Sequence, residues 1–112
     1  MTSEQYLAAW GLIAGFAQAP LARPYGLSRG MPAILPQARN AIYIATDQAG
    51  GVRYVGSSRR GVHARLGDHA REVRRARGWD RVWVIALRDD LPRAVVEMCE
   101  GRVGRSCARW TT

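Results

Sequence analysis

At 112 residues, 47% of them apolar and with four tryptophans and four tyrosines, the chain has material for one packed domain. Its formal net charge is +8, and all 17 basic residues are arginine, which points to a polyanionic partner, nucleic acid first, bound in a salt-sensitive way. Two cysteines, Cys99 and Cys107, without CxxC or Cys/His spacing give no disulfide framework and no zinc site.

The absence of lysine follows equally from the codon usage of a GC-rich genome. The cysteine usage makes a reducing, cytoplasmic setting the default. Residues 6–17, YLAAWGLIAGFA, are uncharged and superficially resemble the core of a secretion signal. The leading MTSEQ carries Glu4 and no basic residue, against that reading. The stretch is also shorter than the ~20 apolar residues needed to span a bilayer, so no membrane partner is expected.

In chain order, Ser3 is read as the N-cap of a helix from Glu4 to about Ala17 whose nearly all-round apolar surface must be covered. Pro20, Pro24, Pro32 and Pro36 with Gly26 and Gly30 make residues 18–40 an extended connector. Residues 1–39 thus form an N-terminal helix with a Pro/Gly-bearing connector, and 40–112 the functional domain.

From Asn40, NAIYIAT and VRYVG flank Asp47-Gln48-Ala49-Gly50-Gly51, a β-hairpin signal. With a four-residue loop from Asp47 to Gly50, Tyr43 faces Tyr54 and both phenols project from one sheet face; an odd loop would separate them. Residues 62–77 place Val62, Leu66, Ala70 and Val73 at helical spacing. At about 100° per residue, Arg65 and His69 stand at the margin of that stripe, while Arg71, Arg74 and Arg75 fall on the far side. His63 reads as a surface residue. Residues 79–88, WDRVWVIALR, are apolar on both alternating faces, a strand covered on both sides. Asp90 is placed to cap a last helix beginning at Leu91-Pro92, with Gly101 and Gly104 weakening its end. The expected architecture is α+β: a helix, a connector and a compact ββαβα unit.

Ala41-Ile42-Tyr43, an eleven-residue step to Tyr54-Val55-Gly56, then Arg65, His69 and the Glu97 of AVVE together resemble the GIY-YIG nuclease family over about residues 40–105. The resemblance implies a small three-stranded antiparallel sheet flanked by helices. It also implies hydrolysis of nucleic-acid phosphodiesters, leaving 5′-phosphate and 3′-hydroxyl ends, with one divalent cation, Mg²⁺, Mn²⁺ being able to replace it. Tyr43 matches the family tyrosine that acts as the base or orients the attacking water, and Tyr54 the second tyrosine, an orienting group in the same site. Arg65 matches the arginine that neutralises phosphate charge, His69 a histidine found in part of the family, Glu97 the metal-binding carboxylate, and Gly56 a glycine where backbone passes close.

Chemistry supports that division of roles. Hydrolysis needs an in-line water, proton removal, and stabilisation of charge on the phosphoryl and leaving oxygens, which a hard cation and a fixed guanidinium supply. A phenol, with a pKa near 10, is a poor base at neutral pH, so Tyr43 needs the cation, His69 or Arg65 nearby. Glu100, one turn beyond Glu97, is the competing carboxylate. Periodicity does not choose between them, and the AVV lead-in favours Glu97. Arg53, Arg59, Arg60, Arg71, Arg74 and Arg75 are the candidate phosphate contacts. Trp79, Trp83 and Trp110 offer faces on which bases could stack, core packing being the expectation for the first two.

Three departures from the family pattern stand out: Ala41 for the first glycine, Val55 for an isoleucine, and no asparagine after the last helix. The expected function is a single-domain, metal-dependent DNA endonuclease selecting strand state or structure rather than a long sequence. Its rivals are a non-catalytic nucleic-acid-binding module, motivated by the missing asparagine, and a secreted nuclease effector or toxin, motivated by the apolar N-terminus. Whether the chain acts as a monomer or a dimer is left open by the sequence.

Overall fold

The structure is a computed structural model that describes residues 1–27, 38–59 and 78–110. Helix α1 spans Ser3–Gly11, followed by a 3₁₀ turn at Ala14–Phe16 and then β1 (Tyr25–Gly26), β2 (Ala41–Thr46), β3 (Val52–Ser58), β4 (Arg81–Ala86) and α2 (Arg93–Cys107). The expected helix over 62–77, with Arg65, His69, His63, Arg71, Arg74 and Arg75, lies outside the described residues, as do Arg60, Pro32 and Pro36.

The fold is α+β with an antiparallel sheet in the order β1-β4-β2-β3, so the sheet has four strands where three were expected. The fourth comes from the connector, where Tyr25 and Gly26 pair with Val82 and Arg81. Central β2 is buried at all six positions because strands flank it on both edges and side chains cover both its faces. Strand β4 is likewise covered on both faces, as its apolar sequence predicts.

Alternation along β2 and β4 separates two cores. On one face Ile42, Ile44, Trp83, Ile85 and Leu87 pack with Tyr6, Ala9 and Ile13 of the N-terminal segment and with Val96, Cys99, Val103 and Cys107 of α2. On the other, Ala41, Tyr43, Val82 and Val84 pack with Tyr25, Leu27, Tyr54 and Trp79. The N-terminal helix is therefore part of the same core as the sheet.

Helix α1 differs from expectation at both ends. Its N-cap is Thr2, not Ser3, because Thr2 and Gln5 form a reciprocal capping box: Gln5 N–H donates to Thr2 Oγ1 at 3.1 Å and Thr2 N–H donates to Gln5 Oε1 at 2.8 Å. It ends at Gly11 rather than near Ala17, a glycine being a poor continuation of a short helix. Nor is it covered all round, since Leu7 remains exposed, as does Leu12 at its C-cap.

The segment after α1 closes the open edge of β4 in pieces. Gln18 N–H donates to Ala86 O at 2.8 Å, and Arg88 N–H donates to Phe16 O at 3.0 Å. Farther along, Leu27 N–H donates to Asp80 O at 2.8 Å beside the β1 pairing. Between these points the Tyr6 hydroxyl fills the gap, donating to Val84 O at 2.6 Å and accepting from Leu21 N–H at 3.0 Å. A connector that cannot run as one continuous strand through Pro20 and Pro24 is thus joined to the sheet by a side chain.

The last helix begins at Arg93, not at Leu91-Pro92. Pro92 has an extended ψ of 158° and serves as the N-cap, its carbonyl accepting from Val95 N–H at 3.0 Å and Val96 N–H at 3.2 Å. Asp90, expected as the cap, lies 3.6 Å from Arg88 Nε instead. Gly101 and Gly104 do not interrupt the helix, because the buried stripe of Val96, Cys99, Val103 and Cys107 holds it against the sheet. Strand β4 covers Arg81–Ala86 of the longer run expected. Among the described residues no helix is long and apolar enough to cross a membrane.

Candidate active site

The hairpin joining β2 and β3 sets the geometry of the tyrosines. Its loop has five residues, Asp47 to Gly51, since Thr46 pairs with Val52. Asp47 organises it: its Oδ1 accepts from Ala49 N–H at 3.0 Å and Gly51 N–H at 2.9 Å, and Gly50 takes a φ of +86° that favours glycine. An odd loop alone would put the two phenols on opposite faces.

A β-bulge restores them. Ala45 pairs with Tyr54, so Arg53 has no partner on β2 and is the inserted residue. Five loop residues plus one bulge residue return the even count. Tyr43 consequently faces Gly56 rather than Tyr54, and Tyr54 lies diagonally across the same face. Their ring centroids are 6.0 Å apart with planes 26° from parallel.

Gly56 is required by this arrangement. A Cβ there would lie 2.5 Å from Tyr43 Cζ, closer still to the Tyr43 hydroxyl oxygen, and 2.8 Å from Tyr54 Cε1. The Tyr43 ring occupies the space a side chain would fill. It is fully buried, whereas Tyr54 is half-buried, so Tyr54 is the phenol nearer to solvent. Trp79 continues the pile, its ring centroid 5.4 Å from that of Tyr54.

Glu97 stands apart from this cluster. Helix α2 packs on the Ile42/Ile44 face, opposite the face that carries Tyr43 and Tyr54. The Glu97 side chain is exposed, and its Oε1 accepts from Arg93 Nε at 2.9 Å. Its donor chemistry fits a hard divalent cation, since Mg²⁺ binds through one carboxylate when substrate phosphate oxygens and waters complete its octahedron. The Arg93 contact is an exposed i,i+4 pair of the weak kind, which a cation can displace. Among the described residues, no group of three or more His, Cys, Asp or Glu side chains is gathered to hold a metal ion.

Of the expected site residues, the structure therefore brings Tyr43, Tyr54 and Gly56 together and places Glu97 on the helix across the sheet. Arg65 and His69 are outside the described residues. Of the expected phosphate contacts, Arg53 and Arg59 are described and both are exposed. Trp83 is core, stacked on Tyr6 with centroids 5.4 Å apart, but Trp79 is only half-buried and belongs to the tyrosine cluster. Its place just ahead of β4, whose register puts it beside the hairpin loop, is not readable from spacing.

Comparison of the chain with family models, with curated proteins and with solved structures finds no match.

Proposed function

We propose that the protein is a metal-dependent endonuclease of the GIY-YIG type acting on DNA. The observation that carries this reading is the stacked Tyr43–Tyr54 pair seated over Gly56 on one face of an antiparallel hairpin. A pair of tyrosines brought onto one face by an odd loop and a compensating bulge, over a glycine with no room for a side chain, is a specific construction. Ordinary strand packing does not require it.

In this reading Tyr54, the half-buried phenol, meets the substrate and orients the attacking water, while buried Tyr43 fixes the Tyr54 ring by stacking. Arg65 supplies the fixed charge that meets developing negative charge on the phosphoryl group. His69 takes the proton from the water. Glu97, on α2 across the sheet from Tyr54, is the residue that would hold the cation, which would supply Lewis-acid charge when bound. The net charge of +8 draws the polyanion to the protein.

A second reading is a nucleic-acid-binding module without turnover, favoured by the position of α2 on the sheet face opposite the tyrosines. Incubation with supercoiled plasmid and Mg²⁺ separates the two. Nicking that chelation abolishes and that Arg65→Ala, Tyr54→Phe and Glu97→Ala each suppress is expected of the endonuclease. Salt-dependent binding with no nicking on duplex, single-stranded or branched substrates establishes the module, and variants that cut as well as the parent refute the proposed site.

A further inference from the structure

Beside the tyrosine cluster lies a groove of about 390 Å³ lined by Asp47, Gln48, Ala49, Gly78, Trp79 and Asp80. Its size falls in the range of small-molecule sites. One wall is Trp79, already the end of the Tyr43–Tyr54–Trp79 pile. The other lining residues are Asp47, Gln48 and Ala49 of the hairpin loop with Gly78 and Asp80, and most of the lining surface is apolar. We propose that this groove holds a single unstacked guanine base of a bound nucleic-acid strand. The proposal rests on the nucleic-acid reading above and adds a base-selecting subsite to it.

The chemistry selects the occupant. An indole face stacks any base, so Trp79 supplies affinity without choice. Choice comes from the Asp80 carboxylate. Guanine alone presents two parallel N–H donors on its Watson–Crick edge, N1–H and the N2 amino group, matching the two oxygens of a carboxylate. Thymine and uracil turn a single N–H flanked by two carbonyl oxygens toward the same group, and adenine and cytosine offer an amino group beside an acceptor nitrogen. Both alternatives set lone pairs against the carboxylate.

Two features hold the elements in place. Asp80 N–H donates to Thr46 O at 2.8 Å and its carbonyl accepts from Leu27 N–H, so its backbone is fixed between β2 and the connector. Its Oδ2 has Arg81 Nε at 3.4 Å, a long contact that leaves acceptor capacity on the carboxylate. At the groove's border the bulge residue Arg53 brings its guanidinium to Gly78, with Nη2 3.6 Å from where a Cβ on Gly78 would lie. Arg53 is exposed there and placed for the phosphate of the strand whose base enters the groove. The bulge that aligns the tyrosines also delivers this arginine.

The test is fluorescence anisotropy at one fixed salt concentration, with the full chain and labelled single strands of about twelve nucleotides. One probe is all thymine, and the others carry one central guanine, adenine or cytosine. The guanine probe is expected to bind about tenfold more tightly than the thymine probe. Asp80→Asn should abolish that preference while leaving the thymine probe nearly unaffected. Trp79→Phe should weaken all probes and keep the preference, and Arg53→Ala should weaken all equally. Equal affinity for the four probes in the parent, or a guanine preference that survives Asp80→Asn, overturns the proposal. Neither of those results touches plasmid nicking, and a protein that prefers guanine but never nicks would refute the endonuclease reading alone.

Discussion

Gly56 faces Tyr43 across the β2–β3 ladder, and the Tyr43 ring fills the volume that a side chain at Gly56 would need. Because Tyr43 is fully buried, its ring cannot swing aside into solvent. Gly56→Ala is therefore an overpacking change, expected to destabilise the fold by about 2 to 3 kcal/mol. It should also disturb the stacking of Tyr54. Urea unfolding measures the first effect and the near-ultraviolet tyrosine signal the second. A variant as stable as the parent would mean that the ring has room to move, contrary to this geometry.

The tyrosine pair shows what the sequence discloses and where it stops. Tyr43 and Tyr54 do share a face, as expected, but not through the four-residue loop on which that expectation rested. The register does not follow, because a five-residue loop and a one-residue bulge together mimic the even loop that was expected. Only the backbone distinguishes the two. The four-strand sheet was hidden for a related reason: Tyr25-Gly26 is too short to signal a strand and exists as one only by pairing with β4. The helix carrying Glu97 was legible from the proline at its start, although its cap is Pro92 and not Asp90. The sheet face it covers is a matter of topology, which periodicity does not encode.

The Tyr6 hydroxyl links α1, the connector and the open edge of β4, donating to Val84 O and accepting from Leu21 N–H. Tyr6→Phe keeps the ring against Trp83 but strands a buried carbonyl and a backbone donor. A loss of about 1 to 3 kcal/mol is expected. Amide hydrogen exchange should show the loss first at Leu21 and along the outer edge of β4. Unchanged stability would show that water replaces the hydroxyl there.

Glu97 and Arg93 form an exposed pair, their side chains 57% and 76% accessible. Exposed i,i+4 pairs contribute about 0.3 to 0.5 kcal/mol. Glu97→Ala and Arg93→Ala should each leave the unfolding midpoint nearly unchanged. Any loss of nicking in Glu97→Ala then reports on function rather than on folding. The two variants should also diverge: removing Arg93 frees the carboxylate and is expected to leave cation-dependent nicking intact or raise it. Equal loss of nicking in both would indicate that the ion pair itself, not the carboxylate, is what the site uses.

Cys107 is buried under the sheet and its thiol is pushed up to about 11 from an ordinary value of 9.0 by burial, with the N-terminal ammonium pulling weakly the other way. Burial likewise raises Tyr6, opposed by the Leu21 N–H that favours the phenolate and helped by nearby Tyr25. A group that binds its proton more tightly in the folded state stabilises the fold fully below its unfolded pKa and loses that contribution as pH rises through the folded value. For Cys107 the window therefore runs from about 9 to about 11. The contribution lost across it is about 2 to 3 kcal/mol by the conversion of two pKa units. Urea midpoints measured from neutral pH upward should be flat at first and fall through this window. Cys107→Ala, less stable at neutral pH because of the cavity, should fall less steeply, keeping only the share due to Tyr6 and the other buried groups. The thiol should also resist alkylation at neutral pH until the protein is unfolded, because the thiolate is the reactive form. Rapid labelling of Cys107 in the native state, or equal slopes in parent and variant, would show that α2 opens at this position far more readily than its packing against Val103 and the sheet implies.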